Sequence, residues 1–340
     1  MPNETGLSTA YAEDLVPGAR NAIRTCLRVQ PGERVVIVTD RETEEIAASL
    51  ADQARGVGAS VETHIMEDYG ARPMFALPAA VTAALERADV SIYAGQPKQG
   101  ELAFRRELTA IVDRRQIRHA HMVSISHRIM TEAMRANYDE VDAISSRVLE
   151  RARKAKKILA TSPAGSRIEA IFDPAIKWLK TSGIISTSKW SNLPGGEVLT
   201  SPARVDGVYV ADGVVGEYLC ARYGDLQANP LSVTIENSRI TDVRSNRQDL
   251  VEDFRAYTST DENSDRVGEF AIGTNIALTD VIGNILQDEK LPTLHLAFGH
   301  PYAEHTGAKW KSTTHIDVVG RNFDIWIDGD RVMKAGKFLI

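Results

Sequence analysis

Half of the eight histidines, His295, His300, His305 and His315, crowd into one stretch that also holds Tyr302 and Asp317. In Thr314-His315-Ile316-Asp317-Val318-Val319 the side chains of a strand alternate, so His315 and Asp317 project to one face. An imidazole and a carboxylate so placed can share a divalent cation. A histidine hydrogen-bonded to a nearby carboxylate has the same His-x-Asp spacing, and both readings stand at this point. His295 is the sole polar side chain of Leu294-His295-Leu296-Ala297-Phe298, a core histidine or a metal donor. Glu269 lies inside the apolar run Val267-Gly268-Glu269-Phe270-Ala271-Ile272, where burying an unpaired carboxylate would cost several kcal/mol. Glu197 repeats the anomaly in Gly195-Gly196-Glu197-Val198-Leu199-Thr200. Two Glu, two His and one Asp carry three negative charges, enough to offset most of the charge on a pair of divalent ions. Oxygen and nitrogen donors without thiolate suit zinc, cobalt or manganese, with iron a further option, and do not choose among them.

These residues need strands to hold them. The first half of the chain alternates short apolar runs with amphipathic stretches, the pattern of an open parallel sheet. Arg34 to Thr39 reads as a strand covered on both faces, because β-branched residues follow one another without polar interruption. Asp40 is then expected to cap a helix carrying Ile46, Leu50 and Ala54 on one stripe, closed by Gly56 and Gly58. Ser60 to Ile65, Val90 to Tyr93 and His119 to Ser124 continue the series. From Ile158 the strands become short, frequent and divided by Gly, Pro, Asn and Asp. Ile158 to Thr161 and Arg167 to Phe172 flank Ser162-Pro163-Ala164-Gly165, a hairpin signal. Val205 to Val210, Leu231 to Ile235, Glu269 to Ile272, Leu294 to Phe298, His315 to Val319 and Phe323 to Ile327 follow. The expectation is α/β plus α+β: a doubly wound parallel-sheet domain over 1–157 and a β-rich, antiparallel, metal-binding catalytic domain over 158–340.

Composition removes several function classes. The 340 residues carry 40 basic and 46 acidic side chains, a formal net charge of −6, so no basic stripe offers a grip on nucleic acid. The densest basic group, Arg151, Arg153, Lys154, Lys156 and Lys157, reads as the solvated end of a helix. Cys26 and Cys220 are the only cysteines, too few for a disulfide framework or a thiolate metal motif, and each reads as a reduced core residue. Met1-Pro2-Asn3-Glu4-Thr5 lacks a basic leader, and no segment approaches the ~18 apolar residues of a membrane span. A cytoplasmic protein with neither a membrane nor a nucleic-acid partner is therefore expected. No Gly-x-Gly-x-x-Gly, P-loop or Gly-x-Ser-x-Gly motif is present.

Over its second half the chain resembles the aminopeptidase T and aminopeptidase S family of dinuclear metallopeptidases, the thermophilic-type metallo-aminopeptidases. Glu197-Val198-Leu199-Thr200-Ser201-Pro202 is similar to the family's Glu-Val-Phe-Thr-Ala-Pro motif. Gly268-Glu269-Phe270-Ala271-Ile272 is similar to its Gly-Glu-x-Ala-Leu strand. His295, Ala297, Gly299 and Tyr302 match His-x-Ala-x-Gly-x-x-Tyr, and His315 and Asp317 the terminal His-x-Asp. The resemblance implies Glu197, Glu269, His295, His315 and Asp317 as metal ligands, with Asp317 shared between two ions. It further implies Glu269 as ligand and acid/base, Tyr302 as donor to an oxyanion, a short peptide or related small molecule as substrate, and a homodimer. Tyr302 can equally be a structural tyrosine on a turn.

The chain is shorter than those peptidases, and its stretch between Tyr302 and His315 is compressed. His300, His305, Glu304, Lys309, Trp310 and Lys311 lie in that stretch, as a pocket wall or an exposed polar loop, and two lysines there could meet a substrate carboxylate. His121 and His127 have no assigned role. A related branch resembling 2,5-dihydroxypyridine dioxygenases uses one Fe(II) held by two His and an Asp. That branch has a His where Glu269 stands and lacks the Glu197 ligand, so keeping both glutamates points to hydrolysis.

Overall fold

The computed structural model describes residues 10–187 and 190–340; the segment from Met1 to Thr5 read above lies outside them. The chain divides into two compact units, one made of the residues up to Asp139 with Gly183–Gly195, the other of Glu140–Ser182 with Gly196–Ile340.

The first unit is built on a parallel five-stranded sheet of β1 (Arg34–Thr39), β2 (Ser60–Ile65), β3 (Val90–Gly95), β4 (Arg118–Val123) and, from the returning segment, β8 (Ser191–Asn192). Its order is β2-β1-β3-β4-β8. Val35 to Val38 are buried without a break, which is why β1 shows no alternation. The helix Glu44–Arg55 buries Ile46, Leu50 and Ala54 and closes at Gly56. Its N-cap is Thr43 and not Asp40. Asp40 is instead fully buried, accepting from the Thr43 backbone at 2.9 Å through Oδ1 and pairing with Arg72 at 2.7 Å through Oδ2. One oxygen thus stays at the start of the helix through Thr43, while the other is taken by a residue far along the chain.

The second unit contains two antiparallel sheets, so the molecule combines parallel and antiparallel layers as expected. The larger sheet comprises β5 (Lys157–Thr161), β6 (Arg167–Ile171), β10 (Arg204–Ala211), β11 (Leu231–Glu236), β12 (Arg239–Arg244), β16 (Asp324–Ile327), β17 (Asp330–Lys334) and β18 (Lys337–Phe338). They run in the order β12-β11-β10-β6-β5-β16-β17-β18. Ser162 to Gly165 turns β5 into β6, with the Gly165 N–H donating to the Ser162 carbonyl at 3.0 Å. The smaller sheet comprises β7 (Leu179–Lys180), β9 (Glu197–Thr200), β13 (Val267–Gly273), β14 (Leu294–Gly299) and β15 (His315–Val319), ordered β15-β14-β13-β9-β7.

One face of the smaller sheet faces hydrocarbon. Val198, Phe270, Ile272, Leu294, Leu296, Phe298, Ile316 and Val318 all belong to the unit's main apolar core. Arg151 ends the helix Tyr138–Ala152, and Arg153, Lys154, Lys156 and Lys157 beyond it are exposed. Cys26 and Cys220 are buried and unpaired. No helix among the described residues is long and apolar enough to cross a membrane.

Candidate metal centre

The other face of the smaller sheet carries the chemistry, and its register explains why. Glu269 pairs with Ala297 and Ala297 with Asp317; Ala271 pairs with His295; Gly273 pairs with Glu197; Gly299 pairs with His315. Since side chains alternate along each strand, all five polar residues project on the side opposite the core. Ala271, Ala297, Gly273 and Gly299 stand between them with little or no side chain, and at Gly273 a Cβ would come within 1.9 Å of the Leu291 carbonyl oxygen. At Gly299, φ is +103° and a Cβ would come within 2.2 Å of the Thr314 carbonyl oxygen. Only glycine lets β15 approach at that position.

The five side chains form one chain of contacts. His295 Nε2 lies 3.6 Å from Glu197 Oε2 and 3.4 Å from Glu269 Oε1. Glu269 Oε2 lies 3.9 Å from His315 Nε2, which is 3.5 Å from Asp317 Oδ1. Glu197, Glu269, His295 and Asp317 are buried, and His315 is half-buried. Tyr302, in a left-handed backbone conformation, sets its ring edge-on to His315 with centroids 5.0 Å apart.

Electrostatics follow from this crowding. Burial alone would lower both imidazole pKa values, but the surrounding carboxylates prevail. His295 is raised by Glu269, Glu197 and Asp317, and His315 reaches about 10 beside Asp317 and Glu269. Burial pushes the Tyr302 hydroxyl well above its usual range, reinforced by Glu269, Asp317, Glu289 and Glu197. Tyr302 therefore remains a proton donor.

The set fits a divalent cation. Glu197, Glu269 and His295 each offer one donor atom, and those atoms lie within 4.8 Å of one another. Among the described residues neither buried ring nitrogen of His295 has a hydrogen-bond partner, a state that costs about 1–3 kcal/mol per group unless something satisfies it. His315 is pre-set differently: its Nδ1 meets the His300 carbonyl at 3.1 Å, which directs Nε2 toward the carboxylates.

Two charged residues here carry no motif signal. Lys290, 1% exposed, contacts Glu197 Oε1 at 2.7 Å and Glu289 at 2.6 Å. The Thr181 hydroxyl donates to the same Glu197 oxygen at 2.8 Å. Burial drives the Glu289 carboxyl up to about 8 against the pull of Lys290. Glu289-Lys290 follows the short helix Ile285–Asp288 and reads locally as a solvated turn, so only the folded contact reveals it.

The remaining polar residues scatter. The His300 Nδ1 accepts from the Tyr302 N–H at 3.1 Å, while Glu304, His305, Lys309 and Lys311 are exposed and Trp310 is half-buried. His121 and His127 belong to the first unit, where His121 stacks on Tyr93 at 5.1 Å and His127 pairs with Asp14 at 3.0 Å.

Comparison with known proteins covers the same region. The family described as Thermophilic metalloprotease (M29) matches residues 107–331, about two-thirds of the chain. Aminopeptidase AmpS of Bacillus subtilis (strain 168) is 32% identical over 156 residues, 41% of this chain and 36% of that enzyme. The chain thus matches little more than a third of that relative's length. Two solved structures share the fold. The 2,5-dihydroxypyridine dioxygenase of Pseudomonas putida KT2440 superposes with a TM-score of 0.70 at 17% identity, covering 96% of each chain. Wild-type AmpT from Thermus thermophilus superposes with a TM-score of 0.69 at 19% identity, covering 97% of this chain and all of that one.

Proposed function

The chain belongs to the thermophilic metalloprotease family, and from that premise we propose a metal-dependent hydrolase of peptide or related amide bonds, aminopeptidase-like, with two divalent ions held by Glu197, Glu269, His295, His315 and Asp317. The observation that carries this is the meeting of both glutamates with His295, since a site that needed only two histidines and an aspartate would have no use for two more buried carboxylates. Bound divalent ions would supply Lewis acidity toward the scissile carbonyl and a nucleophilic water at neutral pH.

The chain's own side chains do the rest. Glu269, facing both imidazoles, is assigned to carry a proton from the attacking water to the leaving amine. Tyr302, kept protonated, donates to the oxygen on which negative charge develops. Asp317, beside His315 and across Ala297 from Glu269, would be a further carboxylate donor to the bound ions. Lys290 and Thr181 engage one oxygen of Glu197 and leave the other to the cluster. A homodimer in a reducing cytoplasm completes the proposal, and the two buried, unpaired cysteines support that compartment.

Elemental analysis of the metal-loaded protein is expected to find two divalent ions per chain, with peptide hydrolysis that a chelator abolishes and dioxygen does not affect. Glu197→Gln should lose one ion and more than about 100-fold in activity. One iron per chain, with oxygen uptake on a dihydroxylated aromatic ring, would overturn the hydrolase in favour of an oxygenase.

A further inference from the structure

We propose that Arg266, braced by Trp310, binds the carboxylate of the residue released by hydrolysis, so that the substrates are short peptides or acyl-amino acids with a free carboxylate next to the cleaved bond. This rests on the hydrolase reading above and adds the substrate class to it.

Arg266 precedes β13 by one residue, and the register of β13 and β14 shifts between Val267 and Glu269. Val267 belongs to the apolar core, so alternation turns Arg266 toward the face that carries Glu269. Its carbonyl accepts the Gly299 N–H at 2.8 Å, and Gly299 is the register partner of His315. Arg266 therefore adjoins the His315 row. It stands three positions before Glu269, a backbone distance of about 10 Å at most, which the long arginine side chain can shorten. One residue of peptide spans about 3.8 Å, so a bond cleaved over Glu269 puts the leaving residue's carboxylate on the way to that guanidinium.

The guanidinium is held and uncommitted. It lies 4.3 Å from the Trp310 ring centroid, and among the described residues it has no ion pair or side-chain hydrogen bond. The nearby Arg239 is already paired with Asp265. Trp310 is fixed in turn, because Asn263 donates to the Lys311 carbonyl at 3.0 Å and Asp261 accepts from the Thr313 backbone and hydroxyl at 2.7 Å each. Lys309 and Lys311, the chain neighbours of Trp310, are exposed. A half-buried, stacked arginine without an anion, in a chain with excess acid, has the geometry for a fork-like grip on a carboxylate.

The test compares L-leucyl-L-alanine with its C-terminal amide. The zinc-loaded wild type should favour the free acid by about tenfold or more, seen in KM rather than kcat. Arg266→Gln should erase that preference by lowering kcat/KM for the free acid about tenfold more than for the amide. If Arg266 only braces the loop, the variant will lose both substrates together, which overturns the proposal. Calorimetric binding of the same pair reads the discrimination without turnover. A lack of hydrolysis then counts against the hydrolase alone, whereas failure of the wild type to bind acid over amide sinks the carboxylate site.

Discussion

At the scale of single residues, Lys290 bears most directly on how the site is kept together. Its ammonium lies between the buried Glu197 carboxylate at 2.7 Å and the half-buried Glu289 at 2.6 Å. Removing it would leave the buried Glu197 carboxylate without its ammonium partner. Breaking a buried pair on one side costs about 3–5 kcal/mol, more than the pair itself contributes relative to an apolar substitute. Lys290→Met is therefore expected to destabilise the chelator-treated protein by that amount in urea unfolding, and adding Glu289→Gln should recover part of it. A loss below about 1 kcal/mol would show that water reaches the pair and screens it. Neither residue is legible in the sequence, because a charged triplet in a turn is ordinarily solvated and no spacing rule links position 290 to 197.

At the scale of elements, the smaller sheet works by parity. Residues alternating with the core-facing ones bring together side chains from four strands, and the alanines among them place no bulky group between the polar side chains. Ala297, between Glu269 and Asp317 in the register, is the tightest test of that idea. Ala297→Leu should cost about 1–3 kcal/mol through overpacking while the far-UV circular dichroism stays native. Metal content by elemental analysis should fall sharply. Retained metal would mean that the cation sits away from the sheet surface and that the small residues serve packing alone. This parity was readable in advance: His-x-Asp in one strand and a lone Glu or His in two others already implied one polar face per strand.

At the scale of the whole molecule, the first unit holds a buried histidine pair that couples its stability to pH. His119 is fully buried with Nδ1 2.8 Å from the Ser91 hydroxyl, and His121 lies 3.2 Å from it. Burial pushes His119 down to about 3 and His121 well below its usual value, the latter assisted by His119 and Arg105. Both are neutral in the folded state, whereas the unfolded chain protonates them near pH 6.5. Their contribution is thus fully present above about 6.5 and is lost as pH falls toward 3, at about 1.4 kcal/mol per pH unit for each group. Thermal unfolding followed from pH 7 to 4 should show a falling midpoint, and His119→Gln should flatten the slope. An unchanged slope would mean that other groups carry the acid sensitivity.

The sequence alone determined twelve of the strands and the polar face of those carrying Glu269, His295, His315 and Asp317, since these depend on local alternation and apolar runs that covalent geometry imposes; β7, β8, β9 with Glu197, β12, β17 and β18 were not read from it. β1, β2 and β15 fall on the residues expected. Tertiary structure alone decided the order in which those strands lie, the return of Ser191–Asn192 to the parallel sheet, the diversion of Asp40 from its helix to Arg72, and the pairing of Lys290 with Glu197. Each of these joins positions far apart along the chain, where the gain is set by burial and electrostatics in three dimensions and leaves no periodic trace in one.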